Sequence, residues 1–151
     1  MPEAKPYLAA ALICDKVLQE KDKVLSAIRI VDTIWVQKSN LPPDITPVIM
    51  LTVLLSFKKG EPGPSEKHQV VLRTIAPSGK PLQIKSTPVP QDPMGSFVFE
   101  ERADRIASAN LIFNIGLPIT EYGLHWIDVL LDGEAVTRIP FSLFRAEDQT
   151  P

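Results

Sequence analysis

The sequence predicts an all-β protein: a single β-sandwich of eight or nine short strands, immunoglobulin-like or Greek-key in its connections. Three observations predict it. Asp132-Gly133 splits two apolar-rich runs, Gly123 to Leu131 and Glu134 to Phe144, the strongest short-range hairpin signal a chain carries. Several runs place an apolar residue at every second position, the period of a half-buried strand. Fifteen prolines in 151 residues is about twice average usage, and most gather between those runs. Pro42, Pro43 and Pro47 form one cluster, Pro62 and Pro64 a second, and Pro88, Pro90 and Pro93 a third. A fixed φ and a missing N–H suit stiff loops that separate strands.

Taken in order, Tyr7 to Lys16 is the ambiguous element. Ala9, Ala10, Ala11 and Leu12 favour helix intrinsically. The polar stretch Gln19 to Lys23 nevertheless lies where a hairpin loop would, so the segment is read as a strand. Ile28, Ile30, Ile34 and Val36 then form an inward row. Asp32 shares their parity, which would point a carboxylate at the core. A buried unpaired charge costs several kcal/mol, so it must be paired, or the strand must bulge there. Asp32 is therefore a candidate structural carboxylate that grips a loop backbone or an arginine, with a functional acid as the alternative.

The next row is Ile49, Leu51, Val53, Leu55 and Phe57. Weaker strands cover Gln69 to Ala76, Leu82 to Thr87 and Ser96 to Glu100, with Pro77-Ser-Gly-Lys80 as a turn. Leu111, Phe113, Ile115 and Leu117 give another inward row. The chain reads as one domain over 1–151, with 1–5 and 146–151 frayed.

The final hairpin has two possible registers. A two-residue Asp132-Gly133 turn sets Leu131 against Glu134 and Ile127 against Arg138. A three-residue loop, Asp132-Gly133-Glu134, sets Leu131 against Ala135 and Ile127 against Ile139. Hydrophobic pattern specifies register, which favours the second. The outward face then carries Tyr122, Leu124, Trp126, Asp128 and Leu130 beside Val136, Arg138, Pro140, Ser142 and Phe144, with Asp128 opposite Arg138. A face open to water should be more polar than this. Its expected cover is a segment of the same chain, a second copy, or a different protein or a ligand, and Trp and Arg suit an interface hot spot.

Composition narrows the function. A chain of this size buries about 68–70% of its unfolded surface and needs no staples. The net charge of −2, with no basic run, gives no reason to approach nucleic acid or an anionic membrane. No run approaches the ~18 apolar residues of a membrane span. The single Cys14 excludes an internal disulfide and a multi-cysteine metal site, and fits a reducing cytosol. Tyr7 to Cys14 resembles a lipoprotein export signal, but the run is short, Glu3 sits beside Lys5, and bulky Ile13 precedes the cysteine. A cytoplasmic location is expected.

Chemistry is sparse. Gly79-Lys80 lacks the other residues of a phosphate loop, since Thr74 and Pro81 stand in the required places. His68 reads as a solvated loop residue. Ser26, His125 and Asp32 make a nucleophile–base–acid set on paper only, because no nucleophile-elbow glycines frame a serine. Asp15, Asp22, Asp44, Asp92 and Asp104 are scattered singly, and Glu100 to Asp104 contains Arg102, which favours salt-bridging over calcium binding. No catalytic residue, cofactor or metal ligand is nominated.

Four spaced motifs carry a resemblance: Ala11-Leu-Ile-Cys-Asp15, Leu25-Ser-Ala-Ile-Arg-Ile-Val-Asp32, Gly123-x-x-Trp126-x-Asp-Val129 and Leu131-Asp-Gly133. Together they resemble a family of small bacterial proteins of unknown function, nearly end to end. The resemblance implies a β-sandwich and supplies no activity or site residue. The expected role is non-catalytic: binding or structure, by self-association or docking to a protein partner through Tyr122, Leu124, Trp126, Asp128, Arg138 and Phe144. A sugar- or lipid-binding module is the alternative, and a hydrolase using Asp32 and His125 a weaker one.

Overall fold

Period-2 alternation becomes two sheets packed across one apolar core. The computed structural model describes residues 6–37, 41–59, 66–82, 92–99 and 107–148. Within them the strands are β1 (Tyr7–Gln19), β2 (Leu25–Ile30), β3 (Thr33–Val36), β4 (Val48–Lys59), β5 (Lys67–Ile75), β6 (Pro81–Leu82), β7 (Met94–Val98), β8 (Ala107–Pro118), β9 (Gly123–Leu131) and β10 (Glu134–Arg145). One sheet runs β2-β1-β4-β8; the other runs β3-β10-β9-β5-β6, with β7 also on β5. Every pairing is antiparallel except β3 with β10. The inward rows meet in the middle: Leu55 and Phe57 of β4 and Ile115 of β8 face Leu72 of β5, Val129 of β9 and Phe141 of β10.

The alanine-rich start is β1, a 13-residue strand. Pairing on both sides, with β2 and β4, satisfies its backbone and overrides the intrinsic helix preference of Ala9 to Leu12. The rows at Ile49 to Phe57 and Leu111 to Leu117 fall on the core side as expected. Pro77 to Lys80 is a turn, closed by Gly79 N–H donating to the Ala76 carbonyl at 2.8 Å, with Gly79 at φ 87°. At the C-terminal end Ala146–Asp148 forms a 3-10 turn, and the rest of the ends expected to fray, 1–5 and 149–151, lies outside the described residues.

The row through Ile28, Ile30, Ile34 and Val36 needs correction. It is two strands in two different sheets, and Ile30 is 70% exposed. Arg29 takes φ 55°, which breaks the alternation. The chain then changes layers within two residues. Val31 N–H donates to the Ile13 carbonyl of β1, and Ser142 N–H of β10 donates to the Asp32 carbonyl. Asp32 is exposed, so no carboxylate enters the core there; its main chain, not its side chain, makes the grip.

Several expectations lie outside the described residues: strand 83–87, the clusters at Pro62, Pro64, Pro88 and Pro90, and the charged stretch Glu100 to Asp104.

Candidate functional site

The hairpin that carries the site is built from its turn outward. Asp132 (φ 50°) and Gly133 (φ 86°) are both left-handed, the pair of conformations a two-residue turn requires for twisted strands. Leu131 accordingly pairs with Glu134, not with Ala135 as the three-residue loop would have it. The register then shifts between Ala135 and Thr137, so that one extra residue is absorbed in β10. Beyond that bulge Asp128 pairs with Arg138 and Ile127 with Ile139, the alignment the hydrophobic pattern demands.

Asp132 also pins the turn to β5. Its carboxylate accepts hydrogen bonds from His68 Nδ1 at 2.7 Å and from Gln69 N–H at 2.9 Å, while its own N–H donates to the Gln69 carbonyl at 2.9 Å. Burial alone would raise the Asp132 carboxyl, but these donors outweigh it and hold the group below its ordinary value of 3.8. His68 is thus a buried strand residue packed against Phe97 and Phe99, not a solvated loop residue. An open pocket of about 450 Å³ lies beside the turn, lined by Lys67, His68, Gln69, Met94, Gly95, Ser96 and Asp132. Ser96 pairs with Gln69, whereas His68 pairs with Phe97, so serine and histidine project from opposite faces of their strands. The pocket therefore lines up no serine–histidine–carboxylate set.

The outward face of the hairpin is open among the described residues. Leu124 is 44% exposed and Phe144 39%, with Tyr122 and Val136 similar. Trp126 and Leu130 are half-buried. At its centre Arg138 grips Asp128 bidentately, Nε to Oδ1 at 2.6 Å and Nη2 to Oδ2 at 3.1 Å. That hydrogen bonding holds the guanidinium above its ordinary value. The same guanidinium lies 5.3 Å from the Trp126 ring centroid, and Arg145 lies 4.9 Å from that of Tyr122.

Tertiary structure widens this face beyond the hairpin. On one side β5 places Arg73 opposite Asp128, Ile75 opposite Trp126 and Val71 opposite Leu130. On the other, β3 brings Trp35 against Phe144, with ring centroids 5.3 Å apart. Arg73 in turn reaches Asp92 at 3.4 Å, so Arg138, Asp128, Arg73 and Asp92 run in alternating sign across the sheet. Trp35, Ile75 and Arg73 were not among the residues expected on this face. Alternation alone puts Trp35 on the side opposite Ile34, but only the β3–β10 pairing shows which surface that side joins.

The remaining chemical candidates are not assembled. Ser26 bonds Glu20 Oε1 at 3.0 Å, in the other sheet from His125. His125 is fully buried, stacked on Phe141, and donates from Nδ1 to the Gly123 carbonyl at 2.9 Å. Its Nε2 and the Thr74 hydroxyl are buried with no hydrogen-bond partner among the described residues. Burial, aided by the Asp15 charge, pushes the free Cys14 thiol up and leaves it a poor nucleophile. Among the described residues no group of three or more His, Cys, Asp or Glu is placed to hold a metal, and no helix is long and apolar enough to cross a membrane.

Residues 9–144 match the model of a family of unknown function, DUF6941. The chain belongs to that family. No curated protein matches it. Among solved structures, it is similar to the Pseudomonas fluorescens alkylpurine DNA glycosylase AlkC bound to DNA containing an abasic site analog, at 15% identity and a TM-score of 0.46. The match covers 95% of this chain and 31% of that one, so the chain spans about a third of that protein. A likeness this slight bears on neither fold detail nor function.

Proposed function

We propose that the protein is a non-catalytic docking module that binds a protein partner through the outward face of β9 and β10. The observation behind this reading is the composition of that face: exposed Leu124, Phe144 and Tyr122 surround a Trp126–Arg138–Asp128 centre. Aromatic and arginine anchors within an apolar patch are the usual makings of an interface hot spot. Charge supports a particular partner. The side chains of Arg73 and Arg138 are 46% and 54% exposed, while that of Asp128 is only 18% exposed. The patch thus offers cations to its visitor, which fits an apolar surface with carboxylates at its rim, and a second copy would bring arginine towards arginine. On this reading the protein works in the bacterial cytoplasm as an immunoglobulin-like sandwich, where its lone thiol stays reduced, and binds neither nucleic acid nor membrane.

Sugar or lipid binding is weaker on two counts. Trp35, though 39% exposed, packs its ring at a tilt against Phe144, and Trp126 lies under Arg138. The test is capture from native cell extract by the wild type, Trp126→Lys and Arg138→Glu. Capture should survive in the wild type and disappear in both variants, with unchanged thermal unfolding. Equal capture by all three, or a Trp126→Lys protein that fails to fold, overturns the reading, the second because it would make the face core.

A further inference from the structure

Among the described residues the sandwich has four sheet edges, and three of them are blunted. β3 is four residues long, and β6 and β7, which share the far edge of the same sheet, are two and five. β2 has six residues, a left-handed Arg29 and that residue's charge. Short strands, charges and irregularities are the ordinary defences against pairing with another chain. The fourth edge, β8, has none of them along its length.

β8 runs for 12 residues, Ala-Ser-Ala-Asn-Leu-Ile-Phe-Asn-Ile-Gly-Leu-Pro, without a single charged side chain and with proline only at its last position. Its register with β4 is unbroken from Lys59–Ala107 to Val48–Pro118, so no bulge twists it away. Among the described residues β4 is its only hydrogen-bonded strand neighbour, while β7 packs over its core side, Gly95 against Leu111 and Phe113. Among the described residues no main-chain partner meets the groups of β8 directed away from β4, the groups another strand would satisfy.

We infer that β8 pairs antiparallel with β8 of a second copy, across a two-fold axis at Ile112, joining two four-stranded sheets into one of eight. The strand is complementary to itself in that register. Ile112, 45% exposed, meets Ile112. Asn110 meets Asn114, whose side-chain amide is already positioned 3.1 Å from Thr52 Oγ1. On the core side Leu111 meets Phe113, and the small Ala109 and Ala107 meet the larger Ile115 and Leu117. The outer row Leu12–Leu54–Ile112 then continues unbroken into the second copy. A two-fold contact closes on itself, which turns an aggregation-prone edge into a defined dimer.

The axis makes a sharp prediction, because only there does residue 112 meet itself. Wild-type protein should show a dimer mass by light scattering. Ile112→Lys and Ile112→Asp should each weaken dimerisation about tenfold or more, through like charges set face to face and the lost apolar pair. An equimolar mixture of the two should restore a dimer. Both substitutions sit on an exposed side chain, and far-UV circular dichroism checks that each variant is folded. A wild type that is monomeric up to its highest soluble concentration overturns the inference. So does a dimer indifferent to both substitutions, or one dissolved by Trp126→Lys instead; loss of partner capture with the dimer intact bears only on the docking face.

Discussion

Two buried polar atoms, the Thr74 hydroxyl and His125 Nε2, sit in an otherwise apolar core without partners among the described residues. An unmade hydrogen bond to a buried group costs about 1–3 kcal/mol, whereas an apolar isostere of the same shape avoids that loss. Thr74→Val should therefore stabilise the protein by about 1 kcal/mol, seen as a higher urea midpoint with unchanged slope. A lower midpoint would mean that the hydroxyl is satisfied in solution. Asp132 presents the opposite case, a polar group with every partner in place. Its folded carboxyl lies below the ordinary 3.8, so the stability it contributes is fully present above that value and is lost as pH falls through the lowered folded value. Asn tolerates the left-handed conformation at this position but cannot match a carboxylate as acceptor. Asp132→Asn should be less stable than wild type at neutral pH, and the gap should close only below about pH 4. A gap constant down to pH 2 would refute the linkage. His68 had no visible partner in the sequence, since Asp132 is 64 residues away. A histidine in a polar stretch looks solvated until the fold brings its carboxylate.

The β9–β10 hairpin shows what pattern can and cannot specify within an element. Alternation of Ile127, Val129 and Leu131 with Ile139 and Phe141 forces Asp128 opposite Arg138, and that pairing was legible before any coordinates. The position of the odd residue was not. Placing it in the turn or in a bulge leaves the same side chains in the core, so burial is indifferent between them. Local backbone chemistry separates the two, because Asp-Gly readily adopts the paired left-handed conformation. The bulge therefore moves to Ala135–Thr137, beside exposed Val136. Deleting Val136 should remove the bulge, keep Asp128 against Arg138 and leave a folded protein with thermal unfolding shifted by only a few degrees. Deleting Ile139 should abolish cooperative unfolding, because taking up the loss at the bulge turns Arg138 into the core, and not taking it up turns Phe141 and Leu143 out of it. Similar tolerance of the two deletions would show that the register is not held by burial.

At the scale of the molecule, the two sheets make two different surfaces with different consequences. The outward face of the β3-β10-β9-β5 sheet is rich in aromatic rings and arginine, and the edge at β8 is apolar and uncharged. Trp126→Lys tests the face and Ile112→Lys the edge, and each should leave the other's behaviour intact because they lie on opposite sheets. If the two variants prove interchangeable in mass and in partner capture, the separation of roles is wrong. The docking face is also larger than the hairpin that first suggested it. Arg73 and Ile75 arrive from β5, beside Asp128 and Trp126, and Trp35 arrives from β3, beside Phe144, all from distant parts of the chain.

The all-β character, the inward sides of β4 and β8 and the Asp128–Arg138 alignment of the hairpin were determined by the sequence alone. Each depends on the spacing of apolar residues over a few positions, and a period of two leaves one arrangement that buries them. Sheet membership was decided only by the tertiary structure. Ile28 and Ile34 share a parity and lie six residues apart, yet they belong to opposite layers. The cause is a left-handed Arg29 and two hydrogen bonds, from Val31 N–H to Ile13 and from Ser142 N–H to Asp32, that hook adjacent residues to different sheets. Parallel pairing of β3 with β10 follows from that crossing, and so does the contact of Trp35 with Phe144. Hydrogen bonds between distant strands join backbone groups that are identical at nearly every residue. Their partners are chosen by how the whole core packs, which no local spacing records.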